Sequence, residues 1–134
     1  MKARAIDPAL RATLATMDLA RVRRALAHLE GWWSELAKGL DTDLTRGDLT
    51  ALTRRADALR DSRFFHVVCD EGALARFALE CRVVAEVLPE AAEEARVLRA
   101  AVEALEARVQ EALGALRRTR ADLRWAALLK SPGA

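Results

Sequence analysis

A chain of 134 residues, half of it hydrophobic and 31% charged, is large enough to bury a core without help from disulfides or metals, and fits one domain spanning 1–134. Its net charge of +2 is too small to imply a polyanionic partner on its own, and its lack of Tyr and Asn, with Ile6 the sole isoleucine, leaves little material for strands. Ala, Leu, Arg and Glu dominate, and only three prolines and six glycines interrupt them. The sequence therefore predicts an all-α protein: an antiparallel helical bundle of about four helices with a long C-terminal helix.

Asp7-Pro8 supplies a capping carboxylate followed by proline at the first helical position, a good helix start. From there Leu19, Val22, Leu26, Leu29, Trp33, Leu36 and Leu40 recur at alternating spacings of three and four, a heptad-like seam. Asp18 offers a second cap, so a break near Met17 is an option. Gly39 is predicted to close the helix, and the polar stretch Asp41 to Asp48 to form a loop.

Thr45 or Asp48 then caps a shorter helix with Leu49, Leu52, Ala56 and Leu59 inside, and Arg54, Arg55, Asp57 and Arg60 outside. A third helix begins near Ser62 or at Asp70. Phe64 to Cys69 is an apolar run that periodicity cannot assign, and helix is preferred because a lone strand would have no sheet to join. Gly72 marks a kink or a close contact. Leu79, Val83 and Val87 are predicted to carry the buried face on to Pro89.

Pro89, with Glu90, Glu93 and Glu94, opens the last helix, and nothing breaks it before Ser131-Pro132-Gly133. A helix over 89–130 is about 60 Å long at 1.5 Å per residue. Its seam is Leu98, Val102, Leu105, Val109, Ala112, Leu116, Thr119, Leu123 and Ala126. With the other helices expected to be shorter, it either kinks near Gly114 or projects and packs on a partner.

Several constellations bear on chemistry. His66, Cys69 and Cys81 are three metal-ligand types, but on one helix Cys81 is turned away and a fourth ligand is missing, so two core cysteines and a partly buried histidine are the simpler account. Asp41 to Leu49 alternates oxygen ligands like a calcium loop, yet its glycine arrives one position late and the closing Glu is absent. No metal or cofactor is assigned. Arg23 and His28, separated by four residues, and Arg60 and His66, separated by five, resemble the Arg-x(4–6)-His signature of the HEPN ribonucleases, which are small, all-α and often dimeric. Asp61 after Arg60 makes the second pair the better match. The resemblance implies a phosphate-stabilising Arg60 and a general acid or base in His66.

The last helix begins acidic (Glu86, Glu90, Glu93, Glu94) and ends basic (Arg117, Arg118, Arg120, Arg124, Lys130). This complements the helix dipole and suits an antiparallel partner helix. Arg117, Arg120 and Arg124 share one face, with Trp125 near to stack on a base, which is the basis of a nucleic-acid reading. Trp32 and Trp33 are adjacent and cannot share a helix face; Trp33 belongs to the seam, and Trp32 is the first choice for a partner contact.

The sequence-based expectation is a non-catalytic interaction, adaptor or assembly subunit acting through helix packing. It is homo-oligomeric, a dimer being favoured, or bound to another protein, with Trp32, Leu105, Val109, Leu116 and Leu123 as partner contacts. A nucleic-acid-binding accessory protein using Arg117, Arg120 and Arg124 ranks second, and a HEPN-like ribonuclease third. With no membrane-length apolar run, no signal-peptide pattern and two cysteines in apolar surroundings, a cytoplasmic protein with reduced thiols is expected.

Overall fold

Asp7 starts the first helix as its composition suggests: its carboxylate accepts a hydrogen bond from the Ala9 amide at 3.1 Å, and Pro8 takes the first position. The computed structural model describes residues 7–130, without the side chains at 12 and 15–17. The Ser131-Pro132-Gly133 stop and the residues before Asp7 lie outside that range.

Helix α1 runs Pro8–Arg46 without a break near Met17 and continues through the predicted stop at Gly39. Two observations explain the extension. A Cβ at position 39 would sit 2.7–2.8 Å from the Arg55 guanidinium, so this glycine permits a close side-chain approach rather than ending the helix. The supposed loop residues are absorbed into the helix as well. The Thr42 and Thr45 hydroxyls donate back to the Lys38 and Asp41 carbonyls at 3.0 and 2.9 Å, and the Asp43 carboxylate, buried, accepts from Arg55 Nε at 2.8 Å. Termination falls to Gly47, whose φ of 65° gives the left-handed cap and whose N–H donates to the Asp43 carbonyl.

Asp48 caps α2 (Leu49–Arg60) by accepting from the Thr50 amide at 2.9 Å. Leu52 and Leu59 are buried, and Leu49 and Ala56 half-buried, as the spacing predicts. Arg55 is the exception to the predicted outward set, because it lies across Gly39 to reach Asp43. Ser62 then caps a single turn, α3 (Arg63–Phe65), accepting from the Phe65 amide at 3.1 Å. The chain passes directly into a π-helical turn over His66–Asp70, closed by the Glu71 amide donating to the His66 carbonyl. The ambiguous 64–69 run is thus helical, though mostly in the wider form. Gly72, at φ 64°, turns the chain into α4 (Ala73–Val87). A 3₁₀ turn over Pro89–Ala91 leads into α5 (Ala92–Lys130), which passes Gly114 without interruption.

The pairings between helices order these pieces. Arg11 donates to the Val87 carbonyl at 3.2 Å, Arg21 pairs with Glu80, Trp33 stacks on Phe64 at 5.4 Å, and Asp43 meets Arg55. Residues 49–87 therefore descend antiparallel along the whole of α1 as one broken limb. Arg23 pairs with Glu94 and Glu30 with Arg108, so α5 rises parallel to α1. The bundle is three limbs, up, down and up, each spanning the same number of positions. The expectation that every other helix is shorter than α5 fails, because α1 equals it at 39 residues.

Most of the core is one cluster running from Leu19 and Val22 through Phe64, Leu74 and Phe77 to Leu105 and Val109. A smaller one, Leu40, Leu52, Leu59 and Leu116, fills the end where α1, α2 and α5 meet. At roughly 1.5–3 kcal/mol for each large side chain fully buried, these seams are the main source of stability.

Candidate interaction surfaces

The apolar residues of α4 form two stripes, and a helix in a three-limb bundle can bury only one. Leu74, Phe77, Cys81, Val84 and, just beyond the helix, Leu88 point into the core. Leu79, Val83 and Val87, the stripe predicted to be internal, are 50%, 47% and 48% exposed. The correction has a packing cause: the inner stripe carries the aromatic Phe77 and lies between α1 and α5, and the i, i+4, i+8 stripe is left on the outside. On α1, Leu10 and Leu14 are also exposed, and Leu14 joins Val83 and Val87 in lining a shallow groove of about 190 Å³ between the two helices. Arg11 and Asp18 flank Leu14 on that groove. Exposed leucines scattered singly are unremarkable, whereas five apolar side chains on two adjoining helices form a surface that water solvates poorly.

The predicted partner contacts divide. Leu105, Val109 and Leu116 are buried in the chain's own core, where α1, α2 and α4 cover the α5 seam. Leu123 is half-buried against the smaller cluster. Trp32 is 38% exposed, with His28 tilted against it at 6.5 Å, and borders a groove with Leu36 and Phe64. Past Leu123 no residue of α5 is buried, and Trp125, Leu128 and Leu129 are 65–72% exposed on its last turns.

Among the basic residues, Arg117 and Arg120 line a cleft between α2 and α5, together with Arg60. Arg124, one turn further along the same face of α5, is exposed and outside that lining. His66, expected to be partly buried beside the phenylalanines, is exposed instead: Nδ1 lies 3.3 Å from Asp70 Oδ2 and Nε2 3.4 Å from Glu71 Oε1. Arg23 and His28 part similarly, Arg23 pairing with Glu94 and His28 resting on Trp32. The calcium-like stretch is helical as far as Arg46, with Asp43 engaged by Arg55.

Both cysteines are free thiols, but only Cys81 is buried; Cys69 is exposed on the π turn. Desolvation pushes both thiols above their ordinary range, with Asp70 adding to the effect at Cys69 and Glu80 at Cys81. Neither is thus activated as a nucleophile. No group of three or more His, Cys, Asp or Glu side chains among the described residues is placed to hold a metal ion. No helix among them is long and apolar enough to cross a membrane.

Comparison with protein-family models, with curated proteins and with solved structures finds no match to this chain. The signal for the α1/α4 surface was present in the sequence as a second apolar stripe on α4. What spacing alone does not supply is which of two stripes the bundle uses.

Proposed function

We propose that the chain is a non-catalytic assembly element of the cytoplasm that pairs with a second copy of itself through the α1/α4 face. The observation that carries this is the exposed strip of Leu10, Leu14, Leu79, Val83 and Val87, which lies on well-formed helices rather than on a loop. Its charges favour a copy of the same surface. Arg11 and Asp18 stand seven residues apart on one face of α1, one on each side of Leu14. When two α1 helices cross antiparallel about a two-fold axis near Leu14, Arg11 of each copy faces Asp18 of the other, and the leucines meet between them. Such a contact is isologous and closes at two subunits. Apolar burial gives the affinity and the paired charges fix the direction.

The experiment is size-exclusion chromatography with light scattering on the full chain and on a Leu14→Glu, Val83→Glu double variant. A dimer that becomes a helical monomer on substitution supports the proposal. A wild-type chain that runs as a monomer at tens of micromolar refutes it.

A further inference from the structure

A second surface, sharing no residue with the α1/α4 groove, has a different chemistry. Between α2 and α5 lies a cleft of about 450 Å³, rimmed by Arg60, Gln110, Arg117 and Arg120 and walled by Phe65 and Leu113 among other apolar side chains. No carboxylate lines it. Several arginines of this bundle are paired with acids, as in Arg21–Glu80, Arg23–Glu94, Arg55–Asp43 and Arg99–Glu103, while among the described residues others, such as Arg24, Arg46 and Arg54, are not. Arg117 and Arg120 have no carboxylate within 4.0 Å among the described residues, and Arg60 touches only Asp57, at 3.5 Å on the exposed side of its own helix.

The arrangement is costly as it stands. On α5 the positions three and four residues from Arg117 and Arg120 hold Leu113, Gly114, Leu116, Ala121, Leu123 and Arg124, besides the two arginines themselves, so no acid one turn away offsets them. One donor is also sequestered: Arg120 Nε is sealed from solvent and has no acceptor. Nε is thus closed to a ligand as well, and it is the remaining guanidinium N–H groups of Arg60, Arg117 and Arg120, three cations lining one cleft with no acid among them, that an oxyanion in the cleft would satisfy. Guanidinium groups suit phosphate, which accepts paired N–H donors and carries up to two negative charges against three cations. The remaining wall is apolar, and a volume of about 450 Å³ accommodates a small ligand.

We propose that this cleft binds a small aromatic phosphomonoester, its phosphate held by Arg60, Arg117 and Arg120 and its ring lying against Phe65 and Leu113. The site stands independently of self-association, since neither surface contributes a residue to the other.

The test is calorimetric titration of the full chain with phenyl phosphate, inorganic phosphate and benzoate. Phenyl phosphate is expected to saturate one site per chain and to bind more tightly than either of the others. Replacing Arg117 and Arg120 together by Gln should weaken it roughly tenfold or more, as loss of charged partners does. Arg124→Gln, outside the lining, should leave it unchanged. In the absence of ligand the Arg117→Gln, Arg120→Gln chain should melt no lower than wild type, which separates loss of binding from loss of fold. Absence of saturable binding by phenyl phosphate overturns the proposal. So does an equal loss on Arg124→Gln, or a single-stranded oligonucleotide that outcompetes phenyl phosphate through Arg124; either marks an open basic track for nucleic acid instead.

Discussion

The two apolar stripes of α4 are alike in composition and opposite in fate. The inner one, Leu74, Phe77, Cys81 and Val84, is enclosed by α1 and α5, and the outer one, Leu79, Val83 and Val87, faces away from the bundle. Hydrophobicity made both stripes candidates for burial, and the number of neighbouring limbs decided that one would be used. An apolar helix face is therefore evidence of contact without being evidence of contact within the same chain.

The contrast breaks most visibly in stability. Leu74→Ala, or Leu105→Ala in the same core cluster, is expected to cost about 2–5 kcal/mol in urea unfolding, because each removes a fully enclosed side chain. Asp48→Ala should cost about 1 kcal/mol by freeing the capped Thr50 amide, and so calibrates a local defect against a core one. Val83→Ser on the outer stripe should change the unfolding free energy of the dilute monomer by less than about 0.5 kcal/mol. At concentrations where copies pair it should lower the apparent melting temperature, because mass action then adds the interface to the fold. If Val83→Ser proves as damaging as Leu74→Ala in the monomer, the two stripes do not differ in the way proposed.

The cysteines sharpen the same contrast chemically. Burial disfavours the thiolate, so raising the pKa leaves less of the reactive form near pH 8. Cys69 should alkylate with iodoacetamide more slowly than free cysteine at pH 8 and gain rate at higher pH than an ordinary thiol does. Cys81, on the inner stripe and fully enclosed, should react only as fast as the bundle opens. Mass spectrometry of partly alkylated protein distinguishes the two.

The helix content, the cap at Asp7 and the seams of α1 and α5 were legible in the sequence, because three-four periodicity and capping chemistry are local; between Thr45 and Asp48 as the second cap, the structure selects Asp48. The errors share a different origin. Gly39 reads as a stop until Arg55, sixteen positions on, is seen lying over it; the Asp41 to Asp48 stretch reads as a loop until Asp43 is seen in its ion pair. The seam of Leu105, Val109 and Leu116 reads as outrunning its neighbours until α1 is seen to match α5 in length and cover it. The cleft joining Arg60 to Arg117 and Arg120 depends on α2 lying beside the far half of α5, which no spacing within either helix encodes.

The division of the core into a long cluster and a set of four leucines also sets the order in which the protein comes apart. Leu40, Leu52, Leu59 and Leu116 hold together an end whose α1–α2 hairpin is local in sequence and whose core, though fully buried, is only these four side chains, whereas the long cluster binds α4 to α5 and both to α1 over most of their length. Amide protons of α2 should therefore exchange with solvent through a partial opening that leaves the α4–α5 pair protected. In that partly open form the chain keeps its outer α4 stripe intact but loses the wall that α2 gives to the arginine cleft, so the two surfaces have separate lifetimes.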